Sequence, residues 1–153
     1  MATPAAPIYD EAMRISTVWY LALAGSLAWA VPAPADDLTG AEQLLCVTIE
    51  VTACSEESQC EAVSSEELNV PRFLKVDLAN RQLSTTEASG ENSQTRVEHL
   101  RREDGLIVLQ GVERARAFSI MISEASGKLT ASVARENLGV VVFGACTPAP
   151  AAK

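Results

Sequence analysis

Histidine is almost missing from this chain, with His99 its single example. A catalytic base needs an orienting acid and a nucleophile beside it, and no serine sits in a recognisable strand-to-helix elbow. There is no glycine-rich phosphate loop and no HExxH pair. Without a catalytic or cofactor motif, the chain reads as non-enzymatic, with no cofactor and no metal, and His99 as a structural residue on a strand. Basic residues are also scarce. There are 12 Lys and Arg against 20 Asp and Glu, and a formal net charge of −8 repels phosphate backbones. Nucleic acid is therefore not expected as a partner. No apolar run approaches the roughly 20 residues of a membrane-spanning helix.

What is present begins with a shorter apolar run. Residues 18–30 form an uninterrupted stretch from Val18 to Ala30, the length of a signal-peptide core. Ala33-Pro34-Ala35 follows as an A-x-A pattern, and then come Asp36 and Asp37. Cleavage is expected after Ala35, with Ala30 as the second choice. A signal peptide needs a positively charged start. From Met1 the charges of Asp10, Glu11, Arg14 and the amino terminus cancel, whereas from Met13 only Arg14 and the amino terminus remain. The expected organisation is an extension over 1–12, a signal peptide over 13–35, one β domain over 36–147 and a disordered tail over 148–153. Leu45, directly before Cys46, is not the small residue a lipoprotein site requires, so no stable membrane anchor is expected after cleavage.

All four cysteines, Cys46, Cys54, Cys60 and Cys146, fall in the mature part. An even count in an exported chain argues for two disulfides. Residues 47–52 alternate like a strand, and eight strand residues span roughly 27 Å. Disulfide Cα atoms lie within about 7 Å, which excludes Cys46–Cys54 and with it Cys60–Cys146. Of the two remaining pairings, Cys54–Cys60 with Cys46–Cys146 is preferred. The first closes a small acidic loop and the second ties the first strand to the last. A zinc site with His99 is the rival, but the spacing Cys54-x5-Cys60 fits zinc pairs poorly.

Period-two patterns dominate the rest. The first strand is expected near 44–54, with Leu45, Val47, Ile49 and Val51 on one face. A polar connection over 55–70 offers one helical turn through the capping box Ser64-Ser65-Glu66-Glu67. Strands are then expected over 73–78, 82–87, 94–102, 106–110, 114–123, 128–134 and 140–146, with Asp104-Gly105 as a hairpin turn. This is an all-β antiparallel meander, closing into a roughly eight-stranded β-barrel or folding as a sandwich to hide its edges.

Charge is unevenly spread. Residues 36–71 hold nine acids and no Lys or Arg, while 72–153 hold nine acids and eleven bases. Glu56, Glu57, Glu61, Glu66 and Glu67 are therefore candidates for meeting a basic partner, since complementary charge orients and speeds association. A solvated loop explains the same acids. A basic cluster comprises Arg96, Arg101, Arg102, Arg114 and Arg116. Arg114 and Arg116 share strand parity with Phe118, Ile120 and Ile122. With that face inside a barrel, Arg114 and Arg116 would sit at a mouth above Phe118 and Ile120 and hold an anionic ligand. Pairing with Glu98, Glu103, Asp104 and Glu113 is the plainer role.

Residues 71–77 (Pro-Arg-Phe-Leu-Lys-Val-Asp), the step Leu109-Gln110-Gly111 and residues 141–147 (Val-Val-Phe-Gly-Ala-Cys-Thr) are similar to small exported proteins of unknown function in Gram-negative bacteria. That resemblance spans most of the mature chain and implies a periplasmic location. The architecture also resembles the periplasmic lysozyme inhibitors, although their inhibitory loop motif is absent. The expected function is that of an exported binding protein. It would either engage a basic envelope protein through its acidic segment or hold a small ligand in the barrel.

Overall fold

The computed structural model describes residues 37–149, apart from Ser58 and 90–92. The signal peptide, its cleavage site, the alternative start and residues 150–153 lie outside the described residues. The described chain is all-β, as the alternation indicates. Its strands are β1 (Gln43–Ser55), β2 (Glu61–Val63), β3 (Phe73–Asp77), β4 (Gln82–Thr85), β5 (Gln94–Arg96), β6 (His99–Glu103), β7 (Leu106–Glu113), β8 (Arg116–Ser123), β9 (Lys128–Arg135) and β10 (Leu138–Pro148). All pair antiparallel in the order β5-β4-β3-β1-β10-β9-β8-β7-β6, and β2 adds to the far half of β1. This is one curled sheet, a half-barrel, and not two sheets of a sandwich.

The two ends of the sheet are consecutive in sequence. The strand expected over 94–102 divides at Val97-Glu98. Val97 N donates to Arg81 O on the β4 side, and Glu98 N donates to Gln110 O on β7. One stretch of chain thus serves both edges. Thr95 Oγ1 donates to Glu113 Oε2 (2.7 Å), linking β5 to the end of β7. No ladder joins β5 to β6 among the described residues.

Turn chemistry sets the register. Asp104 and Gly105 both have positive φ, 52° and 73°, as a two-residue hairpin loop of the favoured twist requires. The capping box forms as well. Ser64 N donates to Glu67 Oε2 (2.9 Å) and Glu67 N to Ser64 Oγ (3.3 Å). Val70 N donates to Ser65 O and Asn69 N to Glu66 O, with Asn69 at φ 51°. That is a Schellman closure, so the single turn is capped at both ends and extends no further.

The facing of β1 departs from expectation. Leu44 and Cys46 point inward and are buried, while Ile49 is 70% exposed and Val51 is 3% exposed. The cause is a β-bulge. Thr48 pairs with Gly144 and Glu50 with the adjacent Phe143, leaving Ile49 unmatched and reversing the facing of the strand. Gly144 is required there, because a Cβ would collide with the carbonyl oxygen of Val47.

Both disulfides form, Cys46–Cys146 across directly opposed positions of β1 and β10, and Cys54–Cys60 at the far end of β1. Two disulfides fit an oxidising environment. β10 also continues past Cys146 to Pro148, and Ala149 N donates to Gln43 O.

The interior is filled unequally. At the end of the barrel holding the Asp104-Gly105 turn, Leu38, Leu44, Val76, Ile107, Leu109 and Ile122 are almost fully buried. Leu38 precedes the first strand and acts as a plug. Its N–H donates to Glu124 O, and Ala41 O accepts from Arg102, which is also ion-paired with Glu124 at 2.7 Å. Burying each such aliphatic side chain contributes about 1.5–3 kcal/mol. Among the described residues no helix is long and apolar enough to cross a membrane.

Candidate ligand cavity

The opposite end of the barrel is open. A cavity of about 660 Å³ lies there, within the roughly 300–1,000 Å³ of small-molecule sites. Three neighbouring strands make its apolar wall, because each directs its alternate residues inward. β8 contributes Phe118 and Ile120, β9 Leu129, Ala131 and Val133, and β10 Leu138, Val140 and Val142. The facing wall, from β4, β5 and the loop between them, is hydroxyl-rich, with Ser84, Thr85, Ser89 and Thr95. Ser89 Oγ is fixed by Phe73, accepting from its N–H (2.9 Å) and donating to its carbonyl (3.1 Å).

The third side is the capped turn. Residues 65–72 border the cavity, with Leu68 and Val70 packed on the core. The return of this segment is tied to β1: Thr48 Oγ1 donates to Pro71 O (2.8 Å) and Thr48 N to Arg72 O (2.9 Å). Gly111 shapes the floor. A Cβ there would lie 2.7 Å from Phe118 Cζ and 3.1 Å from Arg96 O, so the missing side chain makes room for the Phe118 ring.

Arg114, Arg116, Phe118 and Ile120 all border this one cavity. Arg116, Phe118 and Ile120 alternate inward along β8 as their parity indicates. Arg114 does not lie on that strand. It and Ala115 form the β7–β8 turn, both with positive φ, 48° and 61°. No local signal marks a turn there, since Arg-Ala is not a turn dipeptide. Arg135 also borders the mouth, and reading residues singly misses it. It ends the inward series Leu129, Ala131, Val133 on β9, just as Arg116 begins the series on β8.

The plainer pairing scheme for the arginines forms only in part. Arg101 pairs with Glu103 at 4.0 Å, both exposed, and Arg102 with Glu124. Neither Arg114 nor Arg116 forms an ion pair among the described residues, and Glu113 is held by Thr95. The five acidic candidates are all exposed but do not share one location. Glu66 and Glu67 border the cavity mouth, Glu61 is on β2, and Glu56 and Glu57 follow β1. His99 is exposed on β6 opposite Gln110 and does not line the cavity. Among the described residues no cluster of His, Cys, Asp and Glu is placed to hold a metal ion.

Fold and site together define a disulfide-stapled, all-β half-barrel closed at one end and hollow at the other. No protein-family model, curated protein or solved structure matches the chain.

Proposed function

We propose that this is an exported, non-enzymatic binding protein of the periplasm that holds a small, largely apolar ligand in the open end of its barrel. The carrying observation is the cavity of about 660 Å³, walled by the inward residues of β8, β9 and β10 and edged by Arg114 and Arg116. Burial of apolar ligand surface supplies the driving force, and the arginines at the edge orient an anionic end. Ligand binding also accounts for the unequal packing of the interior: Leu38 and its neighbours complete the core at one end, and among the described residues no comparable plug fills the other.

The test uses the neutral fluorescent probe N-phenyl-1-naphthylamine with the mature protein. Saturable one-to-one enhancement is expected. Ala131→Leu, which adds volume at the cavity wall, should weaken it while leaving the fold intact by circular dichroism. A wild-type protein that produces no enhancement removes this reading.

A second reading keeps the acidic segment as a docking face for a basic envelope protein. It is supported by the exposure of Glu56, Glu57, Glu61, Glu66 and Glu67 and by the absence of any ion pair to them among the described residues. Changing Glu56, Glu57 and Glu61 to Gln, away from the cavity mouth, should slow association and flatten its salt dependence. Equal capture rates for wild type and triple variant at low salt would end it.

A further inference from the structure

At the mouth, three arginines converge from two neighbouring hairpin ends. β8 and β9 pair up to Ala117 opposite Ala134. The ladder stops there; continuing its register by one step would set Arg116 opposite Arg135, and both residues line the same hollow at this rim. Like charges directly opposed across two strands are destabilising, and a fold with no use for them would separate or neutralise them. Here neither is neutralised by an ion pair among the described residues. Arg114 adds a third guanidinium from the adjoining turn, and Arg114, Arg116 and Arg135 together line a second hollow at this rim with Ala115 and Glu136.

The turn itself is the second observation. Arg114 and Ala115 both occupy the left-handed region, where Gly, Asn and Asp are the residues tolerated at little cost. Asp104, Gly105 and Asn137 obey that preference at two other hairpins; Arg81, in the β3–β4 turn, departs from it as a single residue, and only Arg114 and Ala115 depart from it as a consecutive pair. A non-glycine pair held in such a conformation persists where the surroundings or a function demand it. Of the acids nearby, Glu113 is engaged by Thr95 and Glu67 by Ser64, while Glu136 and Glu66 border the rim without an ion pair to the arginines among the described residues.

We infer that Arg114, Arg116 and Arg135 form a clamp for a phosphate group, and that the ligand is an amphiphile whose apolar chain enters the cavity while its phosphate head rests on the three guanidiniums. The inference rests on the cavity reading above and adds the head-group chemistry. Guanidinium forks match phosphate oxygens with two parallel hydrogen bonds each, and three of them suit a doubly charged group better than a carboxylate.

The experiment measures displacement of N-phenyl-1-naphthylamine by decyl phosphate, decanoate, 1-decanol and inorganic phosphate. Decyl phosphate should compete at least tenfold better than 1-decanol and better than decanoate. Arg116→Gln with Arg135→Gln should bring decyl phosphate down to the 1-decanol level while leaving 1-decanol unchanged. Removing two opposed like charges does not threaten the fold, and circular dichroism verifies this. Arg114→Gly should weaken decyl phosphate binding and raise Tm together, which a purely structural turn would not do. Equal competition by decyl phosphate and 1-decanol overturns the clamp and leaves the cavity reading intact. Decanoate matching decyl phosphate overturns the phosphate assignment. Inorganic phosphate binding as tightly as decyl phosphate overturns the amphiphile in favour of a free anion. A probe that never binds removes the cavity reading, and the clamp inference falls with it.

Discussion

The long disulfide gives a measurable test of what holds the barrel together. Cys46 and Cys146 are separated by 100 residues, Cys54 and Cys60 by 6. In the chain-entropy model the first loop is worth about 4.7 kcal/mol and the second about 2.2 kcal/mol at 25 °C. Paired replacement by alanine, Cys46→Ala with Cys146→Ala, should therefore remove about twice as much stability as Cys54→Ala with Cys60→Ala. Against a total of about 5–15 kcal/mol for a domain, the first loss is a large share. Cys46 and Cys146 are also buried, at 2% and 3% exposure, so lost packing adds to the entropy difference and does not reverse it. In urea, with a slope of about 1–3 kcal/mol/M, the midpoint should fall by about 1.6–4.7 M for the long staple and about half that for the short one. Strand circular dichroism followed through urea titration reads both. Equal midpoints for the two double variants would refute the reasoning, and would mean that the β1–β10 ladder holds these strands together in the unfolded reference state as well.

The plug makes a simpler claim. Leu38→Ala should cost about 2–5 kcal/mol in urea unfolding, whereas Ile49→Thr, at the exposed bulge residue, should stay within about 0.5 kcal/mol. The reverse ranking would place Ile49 in the core after all. Gly111→Ala should push the Phe118 ring into the cavity, cost about 1–3 kcal/mol and reduce N-phenyl-1-naphthylamine binding. Unchanged binding would show that the ring does not govern cavity shape. Asp77 accepts hydrogen bonds from the Asn80 side chain and the Asn80 N–H, which hold its carboxyl below the ordinary value. A lowered folded value means its stabilisation is full above the unfolded carboxylate range and is lost as pH falls through the folded one. Asp77→Asn should thus lower stability slightly at pH 7 and remove part of the decline below about pH 4. An unaltered pH profile would contradict this.

Much of the fold could be read from spacing alone. Alternation and turn residues located nearly every strand, and strand geometry narrowed the disulfides to two pairings. What escaped was set by tertiary contact. In β1 both faces are apolar, so the run Leu44-Leu45-Cys46-Val47 carries no direction, and only the bulge at Ile49 decides which face is buried. The division of the edge strand at Val97-Glu98 likewise has no local signal, because neither residue breaks a strand. In the candidate site, the parity of Arg116, Phe118 and Ile120 was legible because β8 is regular. Arg114 was misplaced because its backbone conformation runs against its residue type. Arg135 could have been found by asking which inward series ends on a charge. The hollow itself could not, since it depends on which strands face one another across the barrel.

The most extensive pairing in the sheet joins β1 to β10, which are also the first and last strands made. A chain delivered from its amino terminus exposes β1 long before β10 exists. During that interval Cys46 has only Cys54 and Cys60 as possible thiol partners, and β1 presents an unpaired edge open to wrong associations. The hairpins β7–β8, β8–β9 and β9–β10 are local and form quickly, but loop-closure entropy delays the step that joins them to β1. Correct oxidation is consequently ordered in time. Cys54–Cys60 closes while the chain is still short, taking the nearest competitor out of play, and Cys46 then waits in reduced form for the strand that carries Cys146.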